Sequence, residues 1–285
     1  MKKLTALLLV LLLLPLVSFA ETIVTSFYPI WIFTLNLTDG IDGLEVINLA
    51  EPTTGCLHDY ELQNSDMVAL SRADALLING AGMESFLPVV TGAYPDLPVI
   101  DASAGIPVIT NAEGEVNAHL WLDPQRAIGM ATNLAEGLIR LMPQYTDQIT
   151  ANLAVFTERL TAVDQTLRNN PESTGHRSVI ILHEAFPYFA DACALEVAAV
   201  VDKEPEEDLG TSELVRLVEF IRAQNPLPLI VRSEEEDRAV SVLAAETGAP
   251  VCGLDPITTG PADPPLDYYE TIMIRNYRTL QEALQ

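Results

Sequence analysis

The sequence predicts an α/β protein of two lobes, each with a mainly parallel sheet flanked by helices, joined by one long backbone helix. Three observations predict it. In the first half, short apolar runs bounded by turn residues alternate with helical stretches, the rhythm of βαβ units. The middle carries a long apolar stripe at helical spacing. The α/β rhythm then resumes and runs to the end.

Thr22-Ile23-Val24-Thr25 reads as a strand, and Leu44 to Leu49 alternates polar and apolar as a second. Ser65-Asp66 offers a helix N-cap before Met67-Val68-Ala69-Leu70. Ala75 to Ile78, closed by Asn79-Gly80, and Pro98-Val99-Ile100 are further strands. Asp123-Pro124 caps a helix with proline in its first turn, followed by Ala127, Met130, Ala131, Leu134, Leu138 and Leu141. After Pro143, the residues Ile149, Leu153, Phe156, Leu160, Val163 and Leu167 recur in steps of four and three. A helix of about 25 residues there is roughly 37 Å long, enough to leave one lobe and enter another. Asn169-Asn170-Pro171 stops it. Beyond lie strands at Val179–Leu182, Leu195–Val201, Leu229–Val231 and Pro250–Leu254, with helices from Thr211 to about Ala223, over 236–247, and around Tyr269 to Leu280. The expected boundaries are 21–142 for the first lobe, 143–170 for the linking helix and 171–285 for the second lobe. Glu234-Glu235-Glu236-Asp237 reads as a helix start, with acids near the positive end of the dipole.

The N-terminus points to export. Lys2 and Lys3 precede an apolar run from Leu4 to Phe19 that ends in the small-x-small pattern Ser18-Phe19-Ala20. The run is short for a spanning helix, which needs roughly 20 apolar residues. Cleavage after Ala20 leaves 285 − 20 = 265 residues. No cysteine stands at that position, which argues against a lipid anchor, and no later segment is apolar enough to span a membrane. The formal charge is −25, and losing Lys2 and Lys3 makes it −27. That balance argues against nucleic acid and anionic membrane surfaces as partners and favours cations, though charge alone selects no function. Cys56, Cys193 and Cys252 are widely spaced, so a thiolate zinc cluster is not expected, while one disulfide of undetermined pairing is permitted.

Four candidate metal donors fall at comparable places. His58 lies in a loop between a strand and a helix, His119 just ahead of the Asp123-Pro124 helix start, and His183 at the end of a strand. Asp255 ends the last strand. Ligands of open α/β sheets collect beyond the carboxyl ends of strands, so two donors are expected from each lobe. Three imidazoles and one carboxylate suit tetrahedral Zn²⁺, whereas Mn²⁺ prefers more oxygen. The spacings, 119 − 58 = 61, 183 − 119 = 64 and 255 − 183 = 72, are too long for a local zinc motif, so the fold must assemble the site. Glu184 and Glu234 are the nearest substitutes for Asp255. His183-Glu184-Ala185-Phe186-Pro187 starts like a zinc-protease helix, but proline at the second histidine position breaks it. The glycines of Asn79-Gly80-Ala81-Gly82-Met83-Glu84 fit a strand-to-helix turn better than a phosphate loop. His176 reads as a loop residue. These residues alone favour a metal-binding or carbohydrate-type binding protein over an enzyme.

Several segments resemble the zinc and manganese solute-binding proteins of bacterial ABC transporters. His58-Asp59-Tyr60-Glu61-Leu62-Gln63-Asn64-Ser65-Asp66 is similar to that family's first-ligand loop, usually His-x-Tyr-Glu-Pro-x-Pro-Ser-Asp, with Leu62 and Asn64 in place of the prolines. Asn117-Ala118-His119-Leu120-Trp121-Leu122-Asp123-Pro124 resembles the second motif, His183-Glu184-Ala185-Phe186-Pro187-Tyr188-Phe189 the third, and Leu254-Asp255-Pro256 the fourth. The resemblance implies two α/β lobes on a long helix, with metal in the cleft. His58 and His119 then come from the first lobe, His183 and Asp255 from the second. Histidine at the third position implies zinc, with manganese or iron as alternatives. It further implies an extracytoplasmic, monomeric receptor without enzymatic activity that hands its metal to a membrane permease. A secreted zinc hydrolase with Glu184 as base is the rival from another class. Cys56, two residues before His58, departs from the family, and Asn111 to Glu115 is short and free of histidine where many zinc members carry a His-rich loop.

Overall fold

The computed structural model describes residues 21–51, 57, 60–111, 114–168, 178–201, 210–223, 227–233 and 238–284. Among them, two four-stranded sheets, all parallel, lie at the two ends of a long helix. The first sheet holds β1 (Glu21–Thr25), β2 (Leu44–Asn48), β3 (Ala75–Ile78) and β4 (Val99–Asp101) in the order β2-β1-β3-β4. The second holds β5 (Ser178–Ile181), β6 (Glu196–Val200), β7 (Leu229–Arg232) and β8 (Val251–Leu254) in the order β6-β5-β7-β8. The two lobes thus share one topology. In each, the strand order reverses between the first and third strands, and such a reversal opens a crevice at the carboxyl edge.

Around the first sheet lie α1 (Tyr28–Thr38), α2 (Asn64–Leu70), α3 (Leu87–Ala93) and α4 (Pro124–Leu141). A 3₁₀ turn at Pro143–Tyr145 leads into the linking helix α5 (Thr146–Arg168), 23 residues and about 34 Å long. The second lobe adds α6 (Pro187–Ala192), α7 (Thr211–Ala223), α8 (Arg238–Thr247) and α9 (Tyr268–Ala283). No helix of the described residues is long and apolar enough to cross a membrane.

The stripe on α5 does what its spacing predicts: Ile149, Phe156, Leu160, Val163 and Leu167 are buried. Its other anchor is Arg159, which pairs with Glu270 of α9 at 2.8 Å and also bonds Asn36 of α1. One side chain of the linking helix therefore fastens helices from both ends of the chain. Phe33 completes the seam, stacking edge-on with both Phe156 and Tyr269 at 5.3 Å. Aromatic pairs of this geometry add about 0.5–1.5 kcal/mol each beyond their burial.

One local expectation needs correction. The second helix starts at Asn64 rather than after Ser65-Asp66, with Gln63 as N-cap; Asp66 sits at the third position, where its Oδ2 accepts from Gln63 N at 2.6 Å. An acid there closes the cap from inside the helix. Helices α1 and α6 had no sequence signal because they are buried almost all round and so show no polar face. The Asn169-Asn170-Pro171 stop, His176 and the Glu234–Asp237 run lie outside the described residues.

Candidate metal centre

Asp123 fixes the approach to His119. It caps α4, its Oδ1 accepting from Gln125 N at 2.7 Å, and its Oδ2 pairs with Arg126 at 2.5 Å and Arg168 at 3.6 Å. Burial outweighs both arginines and pushes its carboxyl above the usual range. The 3₁₀ turn Leu120–Leu122 just before it is wholly buried, and its Trp121 indole donates to Pro256 O at 2.8 Å. His119 thus opens a turn locked to a loop of the other lobe. It is 3% exposed, with its ring 5.0 Å from that of Trp121.

His183 arrives from the opposite side, two residues beyond β5 at the crevice of the second sheet. The His119 and His183 rings stand 6.5 Å apart, edge to face. Two imidazoles sharing one zinc at about 2 Å per nitrogen have ring centres roughly 5–6 Å apart, so the pair needs about 1 Å of adjustment. Glu184 places Oε1 4.0 Å from His119 Nε2. Ala185 N–H donates to His183 Nδ1 at 3.2 Å. A cleft of about 710 Å³ is lined by Asn111, Glu115, Asn117, Glu184 and Asp191 among others, so it includes sequence neighbours of both histidines.

Asp255 follows β8, as expected, but its carboxylate is engaged. Oδ1 accepts from Ile257 N at 2.8 Å, and Oδ2 pairs with Arg275 of α9 at 2.5 Å. His58, Cys56 and Glu234 lie outside the described residues. Among the described residues, the structure brings together His119, His183 and Glu184, while no three His, Cys, Asp or Glu groups converge on a metal position. Cys193 and Cys252 are free buried thiols, and burial pushes Cys252 up to about 12 and Cys193 higher. Burial thus disfavours the thiolate, the form that binds metals and reacts with oxidants.

Three site residues escaped sequence reasoning. Asn117 and Tyr188 are in motifs quoted above, yet nothing in their spacing reveals their bonds. Asn117 Oδ1 contacts His119 Nδ1 at 3.0 Å, and Tyr188 OH donates to Asn117 O at 2.7 Å. Arg275 belongs to the apolar stripe of the last helix only by adjacency, and no periodicity marks it as a carboxylate partner.

Two parallel-sheet lobes on one rigid helix, with imidazoles from both lobes facing each other, define a solute-binding protein that captures its ligand in a cleft. The chain belongs to the family of periplasmic component A of the zinc-uptake complex, whose model matches residues 23–283. Among curated relatives, it is 30% identical to the metal ABC transporter substrate-binding lipoprotein FimA of Streptococcus parasanguinis, over 68% of this chain and 67% of that one. It is 24% identical to the zinc-binding lipoprotein AdcA of Streptococcus pneumoniae over 92% of this chain; the match spans 55% of AdcA, about half its length. A crystal structure of ZnuA matches with a TM-score of 0.79 at 26% identity, covering 93% of this chain and 100% of that one. The solute-binding protein FpvC of Pseudomonas aeruginosa, in complex with Mn²⁺, matches with a TM-score of 0.81 at 25% identity, over 93% and 98%.

Proposed function

We propose that this chain captures a divalent transition metal, zinc first and manganese second, between its lobes and delivers it to an ABC transporter permease outside the cytoplasm. The observation that carries the reading is the facing of His119 and His183 across the lobes at 6.5 Å. Family membership and the zinc- and manganese-binding relatives support it. His58, His119, His183 and Asp255 are the proposed ligands. Asp255 reaches the metal by exchanging Arg275 for it, and Glu184 is the carboxylate already beside His119 Nε2. Four protein donors close the coordination sphere, so the role is binding rather than catalysis. Residues 1–20 serve as the secretion signal, and the exported protein acts as a monomer.

The test is thermal unfolding of the exported chain with and without zinc. At a free zinc concentration of about 100 Kd, binding adds roughly 2.7 kcal/mol. For a chain of this size that raises Tm by about 5–10 °C. No rise, or a rise unchanged in His119→Ala, sinks the reading. Asp255→Ala and Glu184→Ala then decide which carboxylate completes the site, and metal analysis of protein from its native compartment decides between zinc and manganese.

A further inference from the structure

Asn117 makes a set of bonds that no ligand assignment uses. Its Oδ1 lies 3.0 Å from His119 Nδ1 and accepts from His119 N at the same distance. Its Nδ2 donates to Glu184 O at 2.6 Å, in the loop that carries His183. Tyr188 OH, on α6, donates to Asn117 O at 2.7 Å, and Ile109 N donates to Tyr188 OH at 2.8 Å. The amide orientation follows from these partners. Glu184 O can only accept, so Nδ2 must face it. His119 N can only donate, so Oδ1 must face it. The His119 ring nitrogen therefore meets an oxygen that has no proton to give, and it must supply the proton itself.

We propose that Asn117 is a positioning residue: it fixes His119 as the Nδ1–H tautomer, leaving Nε2 a lone pair for metal, and straps that ring to the loop bearing His183 in the other lobe. Partners of this kind on a metal-ligating histidine orient the ring as well as set its tautomer, and their loss typically costs about 10- to 100-fold in affinity. The strap adds an effect that a single-lobe partner lacks. One planar amide accepts from His119 in the first lobe and donates to Glu184 O in the second, so opening the cleft must break either the His119 bond or the Glu184 bond. The affinity part of this inference rests on the metal-capture reading; the tautomer part does not.

Two variants separate the two halves of the amide. Asn117→Asp keeps the accepting oxygen and loses the donor to Glu184 O. Asn117→Leu loses both. The proton position is read from ¹⁵N imidazole shifts of the histidine-labelled, metal-free exported chain at pH 8, with His119→Gln identifying the signal. Wild type and Asn117→Asp should carry the proton on Nδ1, and Asn117→Leu should lose that preference. Chelator competition should find zinc held about 10- to 100-fold more weakly by Asn117→Leu. Asn117→Asp should release zinc to a chelator about tenfold faster, the worth of one cross-lobe hydrogen bond. A wild-type His119 proton on Nε2 overturns the proposal. So does a folded Asn117→Leu that binds and releases zinc as wild type does. If Asn117→Leu does not fold, the Asn117→Asp release rate and tautomer decide alone, and an unchanged release rate rejects the strap. Wild type that shows the Nδ1–H tautomer but takes up no zinc refutes metal capture and upholds the positioning role.

Discussion

Replacing Trp121 with phenylalanine tests how firmly the two lobes are joined at the site. The indole is fully buried, and its Nε1–H donates to Pro256 O at 2.8 Å across the lobe boundary, next to Asp255. Tyr269 OH fixes the same turn from α9 by donating to Trp121 O at 2.7 Å. Phenylalanine fills most of the space but removes the donor and part of the ring. Stranding a buried carbonyl costs about 1–3 kcal/mol, and losing buried ring atoms adds roughly 1 kcal/mol more. The expected loss is therefore about 2–4 kcal/mol of unfolding free energy. Urea unfolding of metal-free protein, followed by far-UV circular dichroism, measures it through the midpoint and slope. Fluorescence is a poor probe here, because Trp121 is one of only two tryptophans. A variant within about 0.5 kcal/mol of wild type, the range of an ordinary surface substitution, refutes the reasoning. An intact loss with unchanged zinc affinity shows that the bond holds the lobes together without holding the ligands.

Two other outcomes follow from the same packing. Burial pushes the Glu84 carboxyl from 4.5 up to about 7, even though Ser26 OH, Asn79 N and Gly80 N all donate to it. The folded value exceeds the unfolded one, so this stability is fully present below pH 4.5 and is lost as pH rises to about 7, a difference of about 3 kcal/mol. Urea midpoints across that range should fall with pH in wild type and lose that slope in Glu84→Gln. Gly137→Ala on α4 should destabilise by about 1–3 kcal/mol although alanine is the better helix former, because overpacking outweighs propensity. The added Cβ would stand 2.5 Å from Ile100 Cγ2 on β4. A neutral or raised urea midpoint would show that the sheet and helix have slack there.

What the sequence could and could not reveal divides along a physical line. A periodicity is visible only where a polar face gives it contrast. The stripe from Ile149 to Leu167 is legible because α5 keeps one side in solvent, whereas α1 buries Tyr28, Ile30, Ile32, Phe33 and Leu37 with hardly a polar face left. Strands ended where turn residues ended them, so the positions of His183 and Asp255 beyond β5 and β8 were readable. What each donor does there was not, because it depends on partners far off in sequence. Asp255 is held by Arg275, 20 residues on, and His119 is oriented by an amide whose other half reaches Glu184, 67 residues on. In the proposed site, both partners bear on the same ion: metal would have to draw Asp255 off the Arg275 guanidinium, but would find His119 already held by Asn117. On that proposal the two lobes contribute unequally to capture: the first would present a ring prepared in advance, and the second a carboxylate whose release would be part of the binding free energy.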